Sequence, residues 1–391
     1  MVRWTLGPYA SLYHCPDGEE FGMSNVIKRS AAAVARLLRN ASPARGWRRY
    51  AIGGLVVALG ASGAVAAVAA VPAQAAHGQP AQASRDDACR APASPTLEGF
   101  TQGIVPIPGD ALHFVIGGSG PVLVLLHGWP MTWWEWNTVM PSLAKTHTVI
   151  AFDLPGLGNS AVPADGGFTV ADAATRIHEA VAALGFGNVS LLAHDLGVGI
   201  AYAYAHLYPQ QVGRLMVLDS ELNGFGLEAN FGFSFHFDLN MAPPPTPENI
   251  INNRLAEVTY LNYLYSFAAK AGAVTQQDKH IWYGDYSCPN IREAGYDYYR
   301  AFSDDATWDQ NNSTPKLTIP VAAMGGEDSF GSAVADSLKN VDTDVHTIVA
   351  PGSGHYIPEE DPGFVIECAN LFFSSNPNQT APAGFEACLP T

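Results

Sequence analysis

The apolar run Val189-Ser190-Leu191-Leu192-Ala193 carries no Gly or Pro at its end. It enters His194-Asp195-Leu196-Gly197 and continues straight into an alanine-rich helical stretch. Few architectures accept that succession. A short, nearly all-apolar run suits a strand buried on both faces of a parallel sheet. Ala193 and Gly197 flank one carboxylate at the spacing of a sharp strand-to-helix turn that displays a nucleophile. An Asp after a strand can also be a plain helix N-cap. The paired small residues favour the turn, which pushes Asp195 out at the carboxyl edge of the sheet, where α/β folds place their ligands.

The rest of the chain fits. Runs at 122–126, 148–152, 189–193, 215–218, 321–324 and 345–349 read as strands, and 170–184, 197–207, 332–339 and 363–373 as helices. That alternation predicts an α/β fold, a mostly parallel central sheet with helices on both faces. It stops from 220 to 313, where Asn, Pro and aromatics abound and helical periodicity runs over 249–271. A block of that size reads as a helical cap domain inserted between two parts of one core, 99–219 and 314–375, with 376–391 a C-terminal tail.

Residues 1–75 read as a leader, with basic residues from Lys28 to Arg49, an uncharged Ala/Gly/Val run over 51–71 and an Ala73-Gln74-Ala75 cleavage site. A run that long can also anchor in a membrane; its weak apolarity and the cleavage site favour removal, hence a secreted or periplasmic protein with no stable membrane insertion. Met23 is the expected true start, Arg48-Arg49 is compatible with twin-arginine export, and 76–98 is a polar linker. Eight of the 20 Lys and Arg precede Ala76, which leaves 12 basic against 33 acidic residues beyond it. A nucleic-acid partner needs a basic footprint that this body lacks. Cys15 goes with the leader, and Cys89, Cys288, Cys368 and Cys388 remain in an oxidising compartment, where three pairings are open. A local bridge from Cys368 in the last apolar helix to Cys388 in the tail is the economical pairing, leaving Cys89 with Cys288. No Cys/His spacing fits zinc, so neither a metal nor another cofactor is expected.

A carboxylate nucleophile restricts the chemistry. It attacks sp³ carbon bearing a leaving group or a strained ring, giving an alkyl ester that water then hydrolyses. The second step needs a base, and His355 follows the last strand in the Gly-rich loop Pro351-Gly352-Ser353-Gly354. A lone loop histidine is usually a surface residue; its place after Asp195 and the final strand fits a catalytic one. His127-Gly128-Trp129-Pro130 follows the strand at 122–126, which would turn the backbone N–H groups of Trp129 and Leu196 toward the Asp195 ester as an oxyanion hole.

His127-Gly128-Trp129-Pro130, Trp133-Trp134-Glu135-Trp136, the segment from Phe152 to Ser160, Ala193-His194-Asp195-Leu196-Gly197 and the segment from Gly354 to Glu360 together resemble the α/β-hydrolase-fold epoxide hydrolases, in particular a secreted bacterial branch. The resemblance covers roughly residues 118–373. It implies hydrolysis of a small-molecule epoxide to a vicinal diol, with a cap histidine and a cap tyrosine bonding the epoxide oxygen. Phe235-His236-Phe237 resembles the segment holding the first and points to His236; Tyr298-Tyr299-Arg300 resembles that holding the second and points to Tyr299. Phe235 stands where the family has tryptophan, so a different pocket wall is expected. The charge-relay acid sits in many relatives in a turn after the later strand, where this chain has Asp328, and in the secreted branch after the strand following the nucleophile helix, where it has Asp219. Asp219 is the expected charge-relay acid, with Asp328 the alternative.

Two other functions fit less well. A haloalkane or haloacid dehalogenase shares Asp195, His355 and the acid, but commonly carries Trp or Arg directly after the nucleophile, where this chain has Leu196; Trp129 could still offer one indole donor. A catalytically silent secreted binding protein would not need acid, base and nucleophile together. The sequence leaves the oligomeric state open, a homodimer included.

Overall fold

The computed structural model describes Cys89 and residues 91–390. The leader read from the sequence lies outside the described residues. The ordered chain opens with a hairpin that the sequence reading did not anticipate, β1 (Phe100–Ile107) and β2 (Asp110–Gly118). The first part of the core continues through β3 (Val122–Leu126), α1 (Met140–Leu143), β4 (Thr148–Phe152), α2 (Val170–Ala183), β5 (Val189–His194), α3 (Leu196–Leu207) and β6 (Val212–Leu218). An insert of helices follows: α4 (Phe235–Met241), α5 (Thr246–Ile250), α6 (Arg254–Tyr265), α7 (Gln276–Asp285), α8 (Pro289–Arg300) and α9 (Phe302–Asn311). The core resumes with β7 (Val321–Gly326), α10 (Ala333–Leu338), β8 (Val345–Ala350), α11 (Ile357–Glu360) and α12 (Pro362–Phe372).

The strands form one eight-stranded sheet in the order β1-β2-β4-β3-β5-β6-β7-β8. Pairing is antiparallel for β1/β2 and β2/β4 and parallel from β4 to β8. The chain passes from β3 to β4 on one side and then to β5 on the other, so the order reverses between β3 and β5. Loops leaving those strands diverge and open a crevice at their carboxyl ends. The segments after β3 and β5 are the ones carrying Trp129 and Asp195.

Single helical periodicity over 249–271 is corrected to two helices, α5 and α6, separated at Ile251–Asn253. Asn253 starts the second one, its side chain accepting from the Leu255 and Ala256 N–H groups. Both disulfides join the expected partners, Cys89 to Cys288 and Cys368 to Cys388.

Candidate active site

Asp195 stands between β5 and α3 with φ 50°, a left-handed backbone that a non-glycine residue adopts only under constraint from its surroundings. The small neighbours explain how the turn closes. A Cβ at Gly197 would lie 2.5 Å from the Leu126 carbonyl oxygen, and one at Gly128 would lie 2.4 Å from the Asp195 Cβ. Glycine at both places lets the loop after β3 pass directly beneath the carboxylate. The Trp129 N–H then donates to Asp195 Oδ1 at 2.7 Å. Leu196, the first residue of α3, lines the same cavity.

His355 faces the other carboxylate oxygen, with Nε2 3.5 Å from Asp195 Oδ2. Its Nδ1 lies 2.8 Å from Asp219 Oδ2. Asp219 follows β6, is fully buried, and also accepts from the Gly326 N–H and the Ser329 hydroxyl, each at 2.7 Å. Asp328 is exposed, and its described bond is from its own backbone N–H to the Ser353 carbonyl, not to the histidine. Burial disfavours a charged imidazole, but the hydrogen bonds and charges of Asp195 and Asp219 outweigh it and hold the His355 pKa up at about 10. The same pairing, with the Trp129 N–H, carries Asp195 well below the usual carboxylate range against the opposing effect of burial.

Three further side chains fix these loops, and the sequence reading gave none of them a role. His194 is fully buried, with Nδ1 2.5 Å from Glu135 Oε1 and Nε2 2.8 Å from the His355 carbonyl oxygen. Glu135 also accepts from the Gly128 N–H at 3.1 Å, so one buried pair ties the loop under Asp195 to the loop of His355. Glu360 accepts from the Gly354 and Tyr356 N–H groups, both at 3.0 Å, on either side of His355. The signals were present: His194 directly precedes Asp195, and both acids sit in the motifs given above. His127 is a tie of another kind. Its Nε2 accepts from the Leu154 N–H at 3.0 Å, leaving Nδ1 to donate to the Gly128 carbonyl at 2.8 Å.

The insert closes over Asp195. A cavity of about 640 Å³ is lined by Asp195, His355, His236, Tyr299, Trp129 and a set of apolar insert residues that includes Phe237 and Phe302. Tyr298 is not available to it as a donor, because its hydroxyl bonds the Pro155 carbonyl at 2.9 Å. No hydrogen bond from the Tyr299 hydroxyl to a protein group is formed among the described residues. His236 packs edge-on to Tyr299, ring centroids 5.7 Å apart. Burial pushes its pKa down to about 4, so the ring is neutral at pH 7. Its Nδ1 lies 2.6 Å from the Ser234 hydroxyl, which is in turn 2.7 Å from the Tyr263 hydroxyl. Phe235, expected in the pocket wall, is corrected: it is half exposed and packs on Tyr263, outside the cavity lining. The Trp129 indole lies against Gly295 of α8, where a Cβ would come within 1.8 Å. Its N–H makes no hydrogen bond among the described residues.

Such an arrangement can attack an electrophilic carbon, feed protons to a developing oxyanion from above and activate water from the side. Known proteins carry related chains. The family model for the α/β hydrolase fold matches residues 121–362. A soluble epoxide hydrolase from Corynebacterium sp. (strain C12) is 34% identical over 280 residues, 68% of this chain and 95% of that protein. A fluoroacetate dehalogenase from Burkholderia sp is 32% identical over 167 residues, 40% of this chain and 54% of that one. The crystal structure of the Cif epoxide hydrolase from Acinetobacter nosocomialis superimposes with a TM-score of 0.67 at 24% identity, covering 72% of this chain and 91% of that one, a likeness of fold.

Proposed function

The chain belongs to the α/β-hydrolase fold family and is an epoxide hydrolase, and from that premise we propose that it opens its substrate through a covalent ester on Asp195, resolved by water that His355 activates. One observation carries the reading: a single carboxylate is held by the Trp129 N–H on one oxygen and faces His355 with the other, under His236 and Tyr299.

Oδ1 is occupied by the Trp129 N–H, so Oδ2 is the attacking oxygen. It forms a C–O bond to a ring carbon as the epoxide C–O bond breaks, and the alkoxide takes the Tyr299 proton. His236 donates beside it: with Tyr263 donating to Ser234 and Ser234 to Nδ1, the ring proton stays on Nε2. Ester formation removes the Asp195 charge, one of the two that kept His355 protonated. The imidazolium then returns its proton to the Tyr299 phenolate and becomes a base at neutral pH. Water attacks the ester carbonyl carbon and gives His355 its proton. Oδ1 becomes the oxyanion, held by the Trp129 and Leu196 N–H groups. Collapse releases the diol and restores the Asp195 carboxylate and the His355 imidazolium.

The helical insert is, on this reading, a cap that excludes bulk water and supplies Tyr299 and His236. His355→Gln tests the division of labour. Alkylation should proceed and hydrolysis stall, so intact-protein mass spectrometry should find a species heavier by one substrate; an unmodified protein with full turnover would remove His355 from the mechanism. We also read the mature chain as exported, supported by its two disulfides. N-terminal sequencing of protein from the culture medium or periplasm should begin just after Ala75.

A further inference from the structure

A second wall of the cavity is chemically unlike the reacting groups. Where the loop after β6 packs on α9, Glu221, Asn223, Asn230 and Asp305 line the cavity together. Gln310 fastens that loop by donating to the Gly224 carbonyl at 3.1 Å. Asp305 is 1% exposed and uses Oδ1 to accept the Val170 N–H at 2.9 Å, with no protein donor bonded to Oδ2 among the described residues. Asn223 is 5% exposed, and its Oδ1 has no hydrogen-bond partner among the described residues. Glu221 accepts from Asn230 Nδ2 at 2.6 Å through one oxygen. One turn along α9, Asp309 is fully buried with both carboxyl oxygens unpartnered. The cavity lining adds Asp328 to this set and contains neither Lys nor Arg.

Buried acceptors without donors are unfavourable until something supplies the donors. Burial raises the pKa of Asp305 to about 7 and that of Glu221 above its ordinary value, the response of carboxyls with too few partners. A negatively charged ligand group would meet the carboxyl groups of Glu221, Asp305 and Asp328 with no cationic side chain in the lining to offset them. A donor of hydrogen bonds, above all a cationic one, would complete the wall.

Resting on the epoxide-hydrolase reading above, we propose that the preferred substrate is an epoxide that also bears a non-anionic hydrogen-bond donor, an ammonium or hydroxyl group, received by Asp305 and Asn223. Specificity of this kind is a difference between substrates and needs both attraction and repulsion. The same wall disfavours carboxylate-bearing epoxides and haloacids.

Terminal alkyl epoxides of matched length with methyl, hydroxyl, ammonium or carboxylate tails, at several chain lengths, give the test through kcat/KM. At least one donor tail should exceed methyl by roughly tenfold or more, and carboxylate should fall below methyl. Asp305→Asn keeps an oxygen for the Val170 N–H, and it should collapse the ratio of the preferred donor tail to methyl toward one. Glu221→Gln should lower the same ratio, and serves alone if the first variant does not fold. Methyl tails equal to or better than both donors, a preference for carboxylate, or a ratio unchanged in the folded variants would each overturn the inference. Turnover of none of the four would instead sink the epoxide reading itself, and this inference with it.

Discussion

Asp219 and Asp328 both follow strands at the carboxyl edge of the sheet, yet only Asp219 reaches the imidazole. Its carboxylate is fixed by three donors, one of them His355 Nδ1. Asp219→Asn should therefore slow ester hydrolysis by something on the order of 10³- to 10⁴-fold, by analogy with loss of the orienting acid in serine-protease triads. Asp328→Asn should change it several-fold at most. Pre-steady-state kinetics with intact-protein mass spectrometry separates the two steps, and the opposite ranking would move the acid to the turn after β7. Sequence alone offered both residues, because the choice depends on which turn folds toward the histidine and on Ser329, whose part no spacing discloses. The raised His355 pKa also has a consequence for stability. The folded state holds this proton more tightly than an unfolded histidine near 6.5, so the contribution is complete below about pH 6.5 and is lost as pH rises through about 10. Denaturant midpoints measured from pH 6 to 10 should fall. The fall should be displaced to lower pH in Asp195→Asn, which removes one of the two charges; superimposable curves would contradict that pairing.

Among the elements, β3 to β7 were legible because each is largely buried and reads as a nearly all-apolar run, while β8, the edge strand at the other end of the sheet, exposes Thr347 and Val349. β1 and β2 were not. β1 is an edge strand with alternating exposed positions, and it contains Gly103 and Pro106, which an edge tolerates and a central strand would not. The elbow was legible at the level of two residues, because the close approach of Leu126 and Gly128 admits only small side chains there. The clamp joining Glu135, His194 and the His355 carbonyl was not, since it links three elements distant in sequence. His194 faces the Glu135 carboxylate with Nδ1 and the His355 carbonyl with Nε2, all in a fully buried place. Removing one partner leaves the other uncompensated. His194→Gln should lower unfolding free energy by about 3–5 kcal/mol, measured by urea denaturation; a loss below about 1 kcal/mol would mean that the pair does not hold these loops.

At the scale of the molecule, the Cys89–Cys288 bridge spans 199 residues and ends immediately before α8. That helix carries both the Gly295 seat of the Trp129 indole and Tyr299. Opening the bridge should loosen the helical insert where it meets the loop under Asp195. Cys89→Ser/Cys288→Ser should cost about 2–5 kcal/mol of stability and speed amide exchange in α8 ahead of that in β3 to β7; uniform exchange across both would show that the bridge serves the whole fold and not the insert. The covalent ester at Asp195 is tested most directly by a single turnover in ¹⁸O-water with enzyme in excess over epoxide. Water attacks the ester carbonyl, so the label should appear in the peptide containing Asp195 while the diol of that first turnover stays unlabelled. Label in the first diol, with Asp195 unlabelled, would show direct attack of water on the epoxide and contradict it.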